Sequence, residues 1–365
     1  MEKHNLQRGS DDDNAGGEDD DDGSFFPPGL FDGTASCVSR SFSIPTGPPS
    51  SDAVEDGRAV DSYEITPHLS ICLSASRAAS TDHDLTGLIV WPVSVLLAHY
   101  AASPRGRAAA AGGRICELGA GCGLPGLTAA AAADGAGQSD GAAAPAVVLT
   151  DGSAPVAEMM GKNVRRRGGG GQTEVDAAEL LWGSHGEGLR HVLGMLGVGS
   201  RGGVPSADLV LGADVVQWPA VVEPLLLTVK ALLWGSSVEH QRRQRDLGVA
   251  EEGGLEIPPP VFALGMVRRS TQTSELFFRH AKTLGFVCKK LNYADFYYPI
   301  GSRDIEAPEE CREFGDRETE VYELHLEDLS EPSVLLTRMD GSHEDLGDID
   351  LTLGKDFQNT LSMPC

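Results

Sequence analysis

One glycine-rich stretch, RICELGAGCGLPGLTAA at residues 114–130, constrains the fold more than any other part of the chain. It begins as a short apolar strand, passes through an acid and three glycines at alternate positions, and ends in an alanine-rich run. A strand that leads through glycines into a helix is typical of α/β proteins that hold a nucleotide-like ligand. The stretch therefore predicts a ligand-binding loop, and its neighbours must show which ligand it accepts.

Predicted strands and helices alternate from this loop onward. Apolar runs predict strands at 114–119, 146–151, 173–183, 207–216, 260–269, 286–293 and 320–328. The first five are almost continuously apolar, as in a parallel sheet covered on both faces. The last two have no helical pattern between them and must pair antiparallel. The sequence thus predicts an α/β fold, a doubly wound seven-stranded, mostly parallel sheet with a C-terminal antiparallel β-hairpin.

Composition divides the chain into three parts. The predicted parts are a disordered acidic segment at 1–60, an α/β domain at 61–328 with a strand-and-helix extension over 61–110, and a flexible acidic tail at 329–365. Within the extension, a helix is expected to begin at Pro92. A helix over 219–234 is expected to end in a charge-rich surface insertion at 235–259.

The net charge of −25 is concentrated at the two ends of the chain. Residues 1–60 carry −9 and residues 301–365 carry −13, which leaves −3 for the residues between them. Such a chain lacks the basic stripe that nucleic-acid binding requires, so we expect no nucleic-acid partner. The acidic ends either only solvate the chain or attract a basic, lysine-containing protein segment, and the composition leaves both interpretations open.

Cysteine usage and hydropathy exclude several other classes. The seven cysteines form no C-x-x-C pair, so neither a zinc site nor a disulfide framework is expected, and no metal is predicted. The N-terminus lacks the apolar core of a signal peptide, and we expect no apolar run that approaches the ~20 residues of a membrane span. We therefore expect a cytoplasmic protein without membrane association, with the nucleus as the alternative location. The sequence does not indicate an oligomeric state.

The glycine loop matches a dinucleotide motif only in part. Gly121, Gly123 and Gly126 fit G-x-G-x-x-G. The predicted strand ends earlier, however, and Gly119 already makes the turn. Glu117 at the strand end would also face the negative charge of a pyrophosphate, which is unfavourable. A nicotinamide-dependent oxidoreductase is therefore the weaker interpretation, although the motif alone does not exclude it.

The pattern acid-x-G-x-G-x-G, from Glu117 to Gly123, suits a cationic ligand better. S-adenosylmethionine carries a sulfonium and an ammonium group and has no phosphate. We expect Glu117 to attract the ammonium group and the glycines to permit close backbone approach. Asp151 closes the next predicted strand, where a carboxylate can accept hydrogen bonds from both ribose hydroxyls.

Four stretches then carry a family resemblance: TGLIVWPVSVLLAHY, CELGAGCGLPGL, VVLTDGSAPVAEMMGKNV with ELLWG, and ADLVLGADVV. In this order and spacing the sequence resembles the seven-β-strand S-adenosylmethionine-dependent methyltransferases, and among them the family-16 lysine methyltransferase-like group. The resemblance covers about residues 63–290. It implies S-adenosylmethionine as cofactor, the Rossmann-like methyltransferase fold, and a lysine side chain of a protein as the methyl acceptor.

The resemblance also assigns cofactor-binding residues. It implies an aromatic wall at Trp91, contact with the methionine part at Gly119, Ala120 and Gly121, ribose binding at Asp151, a position beside the adenine for Trp182, and a pocket wall at Ala213. Each tryptophan has a simpler alternative as an ordinary core residue.

The fourth predicted strand departs from the group's pattern. The group commonly ends this strand in Asp-x-x-Tyr, whereas this chain has Asp214 followed by Gln217. We predict that Asp214 is catalytic and orients the acceptor amine; the alternative is that it caps the following helix. The amide at Gln217 puts the identity of the acceptor in doubt more than the cofactor. A methyltransferase-fold interaction protein without activity, and a small-molecule acceptor, remain open alternatives.

Overall fold

A computed structural model describes residues 37–47, 68–76, 83–135, 144–167, 171–183, 187–197, 205–246, 258–298 and 319–329. The chain divides into two compact units, Met1–Cys37 and Val38–Cys365, and the fold below is that of the second unit. The prediction of disorder falls outside the described residues over 1–36 and 48–60, and the prediction of a flexible tail does so over 330–365.

Nine strands are present among the described residues, and seven of them form one sheet. The strands are β1 Cys37–Pro45, β2 His68–Ser76, β3 Arg114–Leu118, β4 Ala146–Asp151, β5 Glu174–Glu179, β6 Leu209–Ala213, β7 Val261–Val267, β8 Phe286–Lys290 and β9 Thr319–Leu326. The main sheet has the order β5-β4-β3-β6-β7-β9-β8, and β1 pairs with β2 in a separate two-stranded sheet. Strands β3 to β7 pair parallel, whereas β9 pairs antiparallel with both β7 and β8. The predicted seven-stranded sheet with its terminal hairpin is confirmed.

Helices cover both faces of this sheet. They are α1 Pro92–Ala102, α2 Pro104–Ala109, α3 Leu124–Gly135, α4 Ala154–Arg167, α5 Glu187–Gly197, α6 Pro219–Asp246 and α7 Thr271–Thr283. Buried side chains of α1 and α3 pack in one core with residues of β1 and β2. Buried side chains of α5, α6 and α7 form the second core on the opposite face. This two-sided packing confirms the doubly wound architecture.

The strand order places the glycine loop where the direction of winding reverses. Strand β3 pairs with β4 on one side and with β6 on the other. In open parallel sheets, the crevice outside the carboxyl ends of strands at such a switch point is the usual ligand site. The loop between β3 and α3 opens into this crevice, as do the residues that follow β4 and β6.

Two elements differ from the sequence predictions near the edges of the domain. The prediction of disorder over 1–60 is wrong for Cys37–Pro45, which pairs with β2. Helix α5 has no counterpart among the predicted helices. Its buried residues Leu189, Val192, Leu193 and Leu196 follow the spacing of one helical face, which was the available signal.

Helix α6 is longer and more apolar than its sequence pattern predicts. It runs to Asp246, so the predicted insertion at 235–259 is wrong over its first half; that half is charge-rich and has no proline to end a helix. Among the described residues, α6 is also the one helix long and apolar enough to cross a membrane, over Pro219–Arg245, contrary to the expectation of no such run. Because 67% of its most apolar window is buried within the fold, this is weak evidence for a span.

Candidate active site

A cavity of about 460 Å³ lies at the carboxyl ends of β3, β4 and β6. This volume is in the range of small-molecule sites. The predicted site residues that line it are Trp91, Gly119, Ala120, Gly121, Asp151, Trp182, Ala213 and Asp214. The fold therefore brings together residues that are far apart along the chain. Their contact with a cofactor or an acceptor stays a prediction.

The glycine loop is closely approached by two other segments. Gly119 and Gly121 adopt φ values of +58° and +55°, which favour glycine. A Cβ at Gly119 would lie 2.8 Å from a Val215 methyl and 3.2 Å from the Trp182 ring. A Cβ at Gly121 would lie 2.8 Å from the Gly87 carbonyl oxygen. A side chain at either position would displace a wall of the cavity.

Asp151 presents a fixed carboxylate at the end of β4. The Gly121 N–H donates to its Oδ2 at 3.1 Å, and the Ser153 N–H donates to its Oδ1 at 3.0 Å. Burial raises the pKa of this carboxyl group, while the backbone hydrogen bonds act in the opposite direction. The two oxygens are held by the backbone in one orientation and keep further lone pairs for a ligand's hydroxyl groups.

Three of the chain's four tryptophans line the cavity, namely Trp91, Trp182 and Trp218. The Trp91 indole donates to the Thr86 carbonyl oxygen at 2.9 Å, which fixes its ring at the start of α1. The Trp182 Nε1 is buried and has no hydrogen-bond partner within the described part of the chain. Aromatic faces attract cations, and an orphaned indole N–H is available to an acceptor atom of a ligand.

Glu117 is not among the described residues that line the cavity, and its binding of the cofactor's ammonium group stays a prediction. Glu117 is only 1% exposed. Its side-chain Oε2 accepts a hydrogen bond of 2.8 Å from the Gly126 N–H in the first turn of α3. Burial is the main influence and raises the pKa of the Glu117 carboxyl to about 8. The side chain fills the positive end of the helix from inside.

This position of Glu117 also bears on the dinucleotide interpretation. In dinucleotide-binding folds the pyrophosphate takes the N–H groups at the start of the first helix. Here Gly126 donates to Glu117, and Pro125 before it has no N–H. The described residues that line the cavity include no lysine, arginine or histidine. The site therefore lacks the features that would hold a pyrophosphate.

Gly123 is the second predicted cofactor residue that is not part of the cavity wall. It adopts φ +82° directly before α3, and a Cβ there would lie 2.8 Å from a Leu149 methyl. The glycine is required for the turn and for packing of α3 on β4. The contact of Gly123 with the cofactor stays a prediction, because neither the turn nor this packing excludes an approach of its backbone to a ligand.

Asp214 lines the cavity but is already engaged by Arg269. Both carboxylate oxygens accept hydrogen bonds from the two terminal nitrogens of the Arg269 guanidinium. Helix α6 begins only at Pro219, so the alternative that Asp214 caps this helix is wrong. Gln217 also lines the cavity, and its amide donates to the Asp214 carbonyl oxygen at 3.0 Å.

Part of the cavity wall was not predicted from the sequence. One side of the cavity is lined by residues around the start of α1, namely Thr86, Gly87, Ile89 and Ser94. The sequence signal that could have indicated them was their position in the TGLIVWPVS stretch. Leu181 and Trp218 line the cavity while remaining 63% and 45% exposed, so they stand at its mouth. Among the described residues, no group of three His, Cys, Asp or Glu side chains could hold a metal ion.

The chain is similar to known proteins over the segment that forms this cavity. Residues 77–246 match a family model described as lysine methyltransferase. Over this segment the chain is similar to that lysine methyltransferase family. The segment contains every residue of the cavity wall named above, from Thr86 to Trp218.

One curated relative and two solved structures extend the comparison. A protein N-lysine methyltransferase, METTL21A of Danio rerio, is 32% identical over 151 residues, which are 41% of this chain and 57% of the relative. An O-methyltransferase from Bacillus cereus in complex with SAH is 15% identical, covering 64% of this chain and 78% of that one, with a TM-score of 0.31. A SAM-dependent methyltransferase from Agrobacterium tumefaciens is 13% identical, covering 72% of this chain and 69% of that one, with a TM-score of 0.34. Neither structure is similar enough to inform the site.

Proposed function

We propose that the chain is an S-adenosylmethionine-dependent N-methyltransferase that acts on a lysine side chain of a protein. The cavity carries this proposal. Its wall combines the glycine loop, the fixed carboxylate of Asp151 and three tryptophans. Its described lining has no basic side chain. Such a wall suits a cation with an aromatic base and a ribose, and it does not suit a phosphate.

The residues present fit S-adenosylmethionine in detail. Asp151 would accept hydrogen bonds from the ribose hydroxyls, and the orphaned N–H of Trp182 would serve the adenine side of the cavity. Gly119 and Gly121 would present bare backbone to the methionine part from the cavity wall. When bound, the cofactor supplies an activated methyl group on a positively charged sulfur, and the protein's task is to hold an acceptor in line with it.

The acceptor must lose a proton before it can react. A lysine ammonium group has an ordinary pKa of about 10.4 and no lone pair while protonated. Removal from water and a nearby cation both lower the pKa of such a group. We propose that Asp214 orients the resulting amine from the cavity wall, that the mouth at Leu181 and Trp218 admits the lysine-bearing segment, and that the protein acts in the cytoplasm or the nucleus.

Titration calorimetry with S-adenosylhomocysteine tests the cofactor assignment. The parent chain is expected to bind it with micromolar affinity, and Asp151→Ala is expected to lose on the order of 100-fold because two charged hydrogen bonds disappear. Asp176→Ala is the matched control, since this carboxylate on β5 lies outside the cavity. Binding of NAD in place of S-adenosylhomocysteine would contradict the assignment.

Methyl transfer tests the role of Asp214 and the acceptor class. When the parent chain is incubated with labelled S-adenosylmethionine and heat-treated cell protein, it is expected to transfer the labelled methyl group to lysine residues of the cell proteins. At saturating labelled S-adenosylmethionine, Asp214→Ala is expected to reduce this labelling at least about tenfold while S-adenosylhomocysteine still binds within a few-fold of the parent affinity. Cofactor binding without any labelling in the parent chain would instead support an interaction protein that has lost activity.

A further inference from the structure

The Asp214–Arg269 ion pair is the least expected feature of the cavity. The Asp214 side chain is 2% exposed and the Arg269 side chain 25%. Asp214 lines the cavity, whereas Arg269 reaches it from the loop that follows β7 and is not part of the lining. The guanidinium also lies 5.9 Å from the ring centroid of Trp91, another wall residue. A full positive charge is thus held directly behind the carboxylate of the site.

The backbone at Asp214 is constrained to make this pair. Asp214 is the one residue other than glycine with positive φ, at +57°, in the described part of the chain. Its N–H donates to the Gly265 carbonyl oxygen at 2.7 Å, and its own carbonyl oxygen accepts from Gln217. Left-handed backbone at such a residue is unfavourable and persists where the surroundings fix it, often at functional sites.

The neighbouring arginine shows that the pairing is selective. Arg268 and Arg269 both follow β7, but the Arg268 guanidinium bonds Glu320 and the Tyr322 hydroxyl, away from the cavity. Of these two arginines, Arg269 is the one that faces the ligand site through Asp214. Asp151 is the other carboxylate on the described cavity wall. It accepts hydrogen bonds from backbone N–H groups, and none of the contacts described above pairs it with a cation. The cavity therefore has one carboxylate paired with a cation, Asp214, and one held by backbone N–H groups, Asp151.

This asymmetry matters because the cofactor and its product differ in charge. S-adenosylmethionine carries a positive sulfur, and S-adenosylhomocysteine has a neutral one in almost the same shape. An unpaired carboxylate at Asp214 would hold the charged form too strongly, and an unpaired Arg269 would repel it. Resting on the proposed function, we infer that Arg269 is a specificity-determining residue: by neutralising Asp214 it sets the relative affinity of the cavity for the charged cofactor and the neutral product.

A double-mutant cycle read by calorimetry tests this role without any acceptor. The measured quantity is the ratio of the two dissociation constants, that of S-adenosylhomocysteine over that of S-adenosylmethionine. Arg269→Gln is expected to raise this ratio about tenfold, and Asp214→Asn to lower it about tenfold. The double variant is expected to return within about threefold of the parent ratio, because both charges are absent.

Two further variants and three possible outcomes complete the test. Arg269→Lys keeps the charge and is expected to keep the ratio, and Arg268→Gln is the matched control with an unchanged ratio. If Arg269→Gln fails to fold, the opposite shift in Asp214→Asn and its reversal in the double variant still decide the matter. Equal ratios in all variants that bind would overturn the inference. Failure of the parent chain to bind either compound would instead overturn the proposed function.

Discussion

Glu117→Gln is expected to make the protein roughly 4 kcal/mol more stable than the parent chain at pH 8. Burial raises the pKa of the Glu117 carboxyl from 4.5 to about 8, and this influence outweighs the opposing hydrogen bond from Gly126. The unfolded chain ionises this group near its ordinary pKa, whereas the folded chain keeps it protonated. Its contribution to stability is therefore fully present below about pH 4.5 and is lost as the pH rises towards 8. Glutamine keeps a carbonyl acceptor for Gly126 and has no proton to lose.

Urea unfolding between about pH 5 and pH 8.5 measures this effect. The unfolding free energy of Glu117→Gln minus that of the parent chain is expected to increase steadily over this range. Glu179→Gln, at an exposed carboxylate at the end of β5, is the control and is expected to give no such trend. A difference for Glu117→Gln that stays constant with pH would show that the carboxyl ionises normally in the folded chain.

The sequence was sufficient for the main sheet because each of its signals is local. Continuous apolar runs mark the buried parallel strands β3, β4, β6 and β7, and the bounds of β4 agree with its prediction at 146–151, whereas β5 at the edge of the sheet is polar and largely exposed. The hairpin of β8 and β9 follows from the absence of a helical pattern between them. Strand β1 was missed because its polar and acidic surroundings dominate the composition of residues 1–60. Its pairing with β2 is a tertiary contact that composition does not encode.

The candidate site could likewise be predicted only where local sequence signals were sufficient. Positions such as Asp151 and Trp182 could be placed because they follow strands whose carboxyl ends share one edge of the sheet. The direction of a side chain could not be placed in this way, and Glu117 faces α3 rather than the cavity. Arg269 was not among the residues predicted to form the site. Its approach to Asp214 depends on the register of β6 with β7, where Ala213 pairs with Gly265.

Gly121→Ala is expected to abolish measurable binding of S-adenosylhomocysteine, a loss of at least about 100-fold, and to destabilise the fold by roughly 3 kcal/mol. Two independent causes contribute. The residue adopts φ +55°, which costs an L-residue about 1–2 kcal/mol. The new Cβ would also lie 2.8 Å from the Gly87 carbonyl oxygen, which is backbone and cannot rotate away. Moving the Gly87 segment would displace a cavity wall and disturb the hydrogen bond from Gly121 to Asp151.

Calorimetry and urea unfolding of the same preparation separate the two losses. Gly194→Ala is the matched control, because this glycine lies in α5 and a Cβ added there would meet no atom within 4 Å. There the same substitution is expected to leave cofactor binding unchanged and to stabilise the helix by about 0.5–1 kcal/mol. If Gly121→Ala lost stability but bound S-adenosylhomocysteine like the parent chain, the close approach at Gly121 would be needed only for packing against Gly87. The glycine loop would then not be the floor of the cofactor site.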